Sequence, residues 1–116
     1  MLVVEDDSAM RLLCRVNLEL EQYRVLEAAT LGEARAVLAG ERIDFVLLDV
    51  HVGGESGYDL IGPIREHHDA PIALITGSAE VGPRERELVD VVLPKPFDLA
   101  ELSDVLANVA RTPAPR

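Results

Sequence analysis

One cysteine, four aromatic residues and eleven basic residues are few for a chain of 116. The single Cys14 excludes an internal disulfide and any cysteine-rich zinc site. Tryptophan is absent and aromatics make up 3%, so a base-stacking surface for single-stranded nucleic acid is not built here. Basic residues are outnumbered by 21 acids, for a net charge of −10. That sign argues against non-specific binding to nucleic acid or to an anionic membrane. No run reaches the ~18 apolar residues of a membrane span. The opening Met1-Leu2-Val3-Val4-Glu5-Asp6-Asp7 carries no basic segment, unlike a signal peptide. The expectation is a cytoplasmic protein. Its 48% apolar content suits one domain with a core that needs no covalent staples.

What is present is an alternation of short apolar runs with helical patterns. Leu2-Val3-Val4 reads as a buried strand followed at once by acids. Residues 8–21 read as a helix with Met10, Leu13, Cys14 and Leu18 inward, capped by Asp7 or Ser8. Cys14 falls on that stripe and reads as a core residue. Tyr23-Arg24-Val25-Leu26 reads as the second strand. Thr30-Leu31-Gly32-Glu33 is a capping box that opens the next helix, and Gly40 stops it. Phe45-Val46-Leu47-Leu48 is the strongest strand and ends on Asp49. A helix is expected from Tyr58 to about His67, with Pro63 kinking or shortening it. Pro71-Ile72-Ala73-Leu74-Ile75 forms strand four and ends at Thr76-Gly77. Residues 84–89 allow a short helix after Gly82-Pro83. Val91-Val92-Leu93 forms strand five, ended by Pro94-Lys95-Pro96. Asp98 and Glu101 cap a last helix with Leu99, Leu102, Leu106 and Val109 inward. The domain is expected over 1–111, with 112–116 a flexible proline-containing tail.

Five repeats of strand then helix predict an α/β fold with a parallel sheet covered on both faces. Right-handed crossovers make it doubly wound. Ligands of such sheets bind beyond the carboxyl ends of the strands, at the switch in strand order. Glu5-Asp6-Asp7, Asp49, Thr76 and Lys95 all follow strand ends. Carboxylates gathered there repel one another and want a cation. An all-oxygen set suits Mg²⁺, and a carboxylate beside that ion can attack a phosphoryl group. Lys95 and Thr76 are placed to neutralise and hydrogen-bond phosphoryl oxygens. Each residue also has an ordinary reading: Asp7 as a helix cap, Glu5 and Asp6 as solvated loop acids, Thr76 as a turn residue and Lys95 as a surface lysine. The convergence at four strand ends is what favours a site. His67 and His68 end a helix, where the dipole favours a cation, and being adjacent they face different ways. The glycines at 53, 54 and 57 lack the spacing of a phosphate-binding loop and instead let the backbone turn beside Asp49.

Leu2-Val3-Val4-Glu5-Asp6-Asp7-Ser8, Phe45 to Asp49 with Gly57, Leu74-Ile75-Thr76-Gly77 and Leu93-Pro94-Lys95-Pro96-Phe97 appear in this order. Together they resemble a receiver domain of a bacterial two-component response regulator, over residues 2 to about 110. The resemblance implies a flavodoxin-like sheet of order 2-1-3-4-5. It implies that Asp49 takes a phosphoryl group from a sensor histidine kinase or a histidine phosphotransfer protein. It also implies Mg²⁺ held by Asp6 and Asp49, with Glu5 acting through water and His51 through its backbone carbonyl. Thr76 and Lys95 match the family's switch hydroxyl and phosphate-binding lysine. Such a domain is a phosphoacceptor rather than an enzyme. Three departures stand out: Lys95 lies only nineteen positions after Thr76, Val92 replaces an aromatic residue, and Gly53 replaces a proline. They leave the phosphorylation residues in place and alter the usual output face. Two rival readings are a phosphorylation-independent interaction module and a Mg²⁺-dependent phosphatase. Asp49-Val50-His51 lacks the second acid of the Asp-x-Asp pattern that the latter resembles.

Overall fold

The computed structural model describes residues 1–77, 81–95 and 97–111, without the side chains of Leu99 and of 109–111. Pro96, the inward placement of Leu99 and Val109, and the expected tail at 112–116 lie outside the described residues.

The elements in chain order are β1 (Leu2–Val4), α1 (Ser8–Leu20), β2 (Leu26–Ala28), α2 (Leu31–Gly40) and β3 (Val46–Asp49). A small hairpin of His51–Val52 and Glu55–Ser56 follows, then a 3-10 turn over Gly57–Leu60 and α3 (Ile61–His67). The chain continues with β4 (Ile72–Thr76), α4 (Pro83–Leu88), β5 (Val91–Pro94) and α5 (Leu99–Arg111). The five strands pair in parallel, in the order β2-β1-β3-β4-β5, as expected.

Alternation along the strands divides the core in two, because successive side chains point to opposite faces. Leu2, Val4, Val46, Leu48, Ile72 and Leu74 pack with α2 and α3 through Leu31, Ala34, Leu38, Ile61 and Ile64. Val3, Leu47, Ala73 and Ile75 pack with α1 and α5 through Cys14, Leu18, Leu102 and Leu106. Burial pushes the Cys14 thiol up to about 11, as suits an inert core residue.

The helix starts are chemically explicit. Asp7 is the N-cap of α1, its carboxylate accepting from the N–H groups of Ala9 and Met10. Thr30 Oγ1 accepts from Glu33 N–H, and the Glu33 carboxylate reaches back to Ala29 N–H at 2.8 Å. Asp98 and Glu101 form the reciprocal capping pair before α5.

Three expectations are corrected. The second strand is Leu26–Ala28 rather than Tyr23–Leu26. Tyr23 N–H still bonds to Leu18 O in the closing turn of α1, where Gln22 takes φ 71°. Pairing with β1 begins only at Leu26, opposite Leu2. Leu13 is not inward: Met10, Cys14 and Leu18, at i, i+4 and i+8, face the sheet, while Leu12, Leu13, Val16 and Leu20 are exposed. The helix expected from Tyr58 begins only at Ile61, so of its two expected effects Pro63 shows the shortening. Pro63 occupies the first turn of α3, where its missing N–H has no intrahelical partner to lose, and a 3-10 turn precedes it.

α4 is short, as expected, with Pro83 at its first position and no buried residue. Val81 and Val89 on either side of it are buried and anchor the segment.

Candidate functional site

β1 and β3 are neighbours at the point where the strand order reverses, so residues after both meet at one edge. Glu5 continues β1, its N–H donating to Ala28 O of β2. Asp49 is the last residue of β3, and Thr76 the last of β4. Lys95 directly follows β5 and donates its N–H to Thr76 O at 2.7 Å. Glu5 is 0% exposed and Asp49 5%, which is unusual for ionisable groups unless they are paired, and the Thr76 hydroxyl is buried beside them at 4%.

Lys95 is the pairing cation. Its Nζ lies 2.8 Å from Glu5 Oε1 and 3.0 Å from Asp49 Oδ2. Burial disfavours charge on Lys95, but the two carboxylates outweigh it and raise its pKa. One ammonium cannot neutralise both acids. Burial pushes the Glu5 carboxyl up to about 7, with the hydrogen bond and charge of Asp49 adding to the effect and Lys95 opposing it. Asp6 sits at the mouth of the site, exposed. The Gly53 N–H, 3.0 Å from Asp6 Oδ2, holds its carboxyl below the usual range.

Oxygen atoms of Glu5, Asp6 and Asp49 all lie within 4.8 Å of one another. Three convergent carboxylates against a single ammonium fit a hard divalent cation with oxygen ligands. Asp7 is not among them, since its carboxylate is committed to capping α1. His51 opens the hairpin; its ring is exposed and its N–H points to Asp49 Oδ1 at 3.4 Å. His67 and His68 are elsewhere, at the end of α3, where His68 Nε2 contacts Leu38 O.

Two supporting features work through the backbone. The Gly53-Gly54 turn, with φ of 58° and 83°, is the two-residue hairpin turn that needs positive φ at both positions. It aims Gly53 N–H at Asp6. Arg11 of α1 donates to the main-chain oxygen of Glu5 at 2.8 Å.

The raised pKa of Glu5 has a measurable consequence. Between pH 4.5 and about 7 the folded, metal-free chain holds a proton on Glu5 that the unfolded chain has released. Folding stability from this group is fully present below pH 4.5 and is lost as pH rises through about 7. Glu5→Gln, which mimics the protonated carboxyl, flattens this slope. Thermal melts in chelator across that window check it, and an identical slope in the variant contradicts it.

The sheet order with a lysine-bridged carboxylate cluster at its switch point defines a flavodoxin-like α/β domain. The chain belongs to the response regulator receiver domain family, whose pattern matches residues 1–107. It is 34% identical to the transcriptional regulatory protein YvrH of Bacillus subtilis, over 96% of this chain and 49% of that protein. The chain spans about half the length of the curated relatives it matches. Among solved structures, the non-phosphorylated HemR receiver domain from Leptospira biflexa is 32% identical, with a TM-score of 0.87 over 99% of this chain and 96% of that one. A response regulator from Burkholderia pseudomallei, solved with a phosphorylated aspartic acid, calcium ion and citrate, is 28% identical. Its TM-score is 0.78, over 94% of this chain and 71% of that one.

Proposed function

We propose that Asp49 accepts a phosphoryl group from a phosphohistidine on a sensor histidine kinase or a histidine phosphotransfer protein. The observation that carries this reading is the setting of Asp49 itself. Its carboxylate closes an apolar strand, faces the Lys95 ammonium at 3.0 Å and lies one residue in register from Thr76 on β4. One Asp49 oxygen attacks phosphorus, and the bond from phosphorus to the imidazole nitrogen breaks. The electron pair returns to the ring, and a ring protonated on its second nitrogen leaves as neutral imidazole. Lys95, already pairing with Asp49, stays to pair with a phosphoryl oxygen, and Thr76 hydrogen-bonds another.

Asp6 and Asp49 would hold Mg²⁺, with Glu5 and the His51 carbonyl in support, and the bound ion would neutralise charge on the phosphoryl oxygens. The residues fit that ion, since three oxygen donors converge and burial leaves Glu5 short of a counter-charge. Asp6→Asn keeps an oxygen to accept the Gly53 N–H and removes the charge at the mouth of the site. It is expected to abolish metal-dependent labelling. Labelling by a small amido phosphate is the test; a variant labelled as fast as the parent at equal Mg²⁺ overturns the metal assignment.

The Burkholderia relative with its phosphorylated aspartic acid supports the acceptor chemistry. No helix among the described residues is long and apolar enough to cross a membrane.

A further inference from the structure

We infer that Arg11 is a positioning residue for the cation site, acting as a strut between the edge strand β2 and the acid-bearing loop after β1. The inference rests on the proposed metal role of Glu5, Asp6 and Asp49, and adds a residue outside that set.

The loop of Glu5, Asp6 and Asp7 is three residues long and carries two of the three convergent carboxylates. Its first peptide leaves the sheet at Glu5. The Glu5 N–H donates to Ala28 O of β2, and among the described residues no main-chain N–H reaches the Glu5 carbonyl. Arg11 fills that position, with Nη1 2.8 Å from Glu5 O. The same guanidinium places Nε 3.4 Å from the Glu27 carboxylate, and Glu27 is the middle residue of β2. Glu27 is in turn held by Arg15 Nη1 at 2.9 Å, one helical turn further along α1. A planar, forked donor thus spans from a fixed strand to a loop carbonyl. Both side chains are largely shielded, Arg11 at 20% and Glu27 at 29% exposure, so the contact is not a solvated surface pair.

The mechanical role is specific. Rotation of the Glu5 peptide swings the Glu5 and Asp6 side chains on either side of it. Among the described residues Asp6 is also held by Gly53 N–H, and Glu5 by Lys95 and Asp7 N–H. Holding the carbonyl therefore limits the spread of the carboxylate cluster. Groups that orient metal ligands typically govern affinity by about 10–100-fold.

Charge and position predict opposite signs, which makes the inference testable. As a charge, Arg11 repels a cation, so its removal tightens metal binding. As a strut it preorganises the ligands, so its removal weakens binding. The experiment is titration of the parent, Arg11→Ala, Arg11→Lys and Glu27→Gln with Mn²⁺, followed by calorimetry, with no phosphoryl donor present. Arg11→Ala is expected to bind about tenfold more weakly. Arg11→Lys, which keeps charge but not the fork, lies between it and the parent. Glu27→Gln, which keeps an oxygen acceptor for Nε, stays close to the parent. In labelling assays the loss falls on the half-saturating Mg²⁺ concentration rather than on the limiting rate. Unchanged or tighter binding by Arg11→Ala overturns the inference, as does a parent that binds no Mn²⁺. Should Arg11→Ala fail to fold, equal affinities of Arg11→Lys and the parent overturn it. A parent that binds Mn²⁺ but takes no phosphoryl group refutes the acceptor role of Asp49 and leaves the strut standing.

Discussion

Asp49→Asn is expected to fold and to take up no phosphoryl group from a small amido phosphate at any Mg²⁺ concentration. The substitution keeps the size and shape of the side chain. Its amide oxygen can still accept from Lys95 Nζ, 3.0 Å away in the parent, or from the His51 N–H. What it loses is the nucleophile, because an amide oxygen does not attack phosphorus as a carboxylate does. The neighbouring acids do not replace it. Glu5 is fully buried against Lys95, and Asp6 stands at the exposed mouth, tied to Gly53 N–H. Intact-protein mass before and after incubation reads the result. Full labelling of Asp49→Asn moves the acceptor to another acid.

Gly57→Ala is expected to cost more stability than any other glycine-to-alanine change in the described chain. A Cβ at Gly57 overlaps the main-chain oxygen of Asp49, and lies 3.0 Å from the Asp49 carbonyl carbon and 3.3 Å from Leu48 Cδ1. The first two are backbone atoms of β3, which is paired on both sides and cannot retreat. The Gly57 N–H is meanwhile bound to Val50 O at 2.6 Å, so the turn cannot lift away without losing that bond. Overpacking of this kind costs about 3 kcal/mol, which lowers the melting temperature by about 10 °C in a domain of this size. The same shift moves Asp49, so labelling slows as well. Gly62→Ala is the internal control: nothing lies within 4 Å of its Cβ, and alanine is the better helix former. It is expected to be neutral or slightly stabilising. Equal melting temperatures for the two variants contradict the close approach at Gly57.

The architecture was legible because its strands are buried on both faces. Val46, Leu47 and Leu48 are all fully buried, so the run is continuous in the sequence and Asp49 marks its end without ambiguity. β2 was displaced by about three residues because it is an edge strand with a charged centre. Glu27 faces Arg11 and Arg15 rather than a core, so Leu-Glu-Ala carries no apolar run, and its alternation lasts only three residues. Leu13 read as inward because apolar residues cover more than half the turn of α1, and a pattern alone does not say which part meets the sheet.

At the site, the side chains that gather at one sheet edge were visible: Glu5, Asp6, Asp49, Thr76 and Lys95 each end or follow a strand, and the fold brings them together. Two contacts made to or by the backbone were not. Gly53 presents an N–H to Asp6, and Arg11 reaches a carbonyl, so neither relation depends on a recognisable pair of residue types. The two consecutive glycines of a hairpin turn and an arginine one helical turn after the acids are the signals that bear on them.

The most direct measurement of the central claim is peptide mapping of the parent chain after incubation with an amido phosphate, with and without Mg²⁺. The expected result is a single phosphoryl increment on the peptide containing Asp49, present only with the ion and absent from the peptides containing Glu5, Asp6 and Asp7. An increment on another acid, or none under conditions where the chain is folded, contradicts the assignment and leaves a receiver-like interaction module in its place.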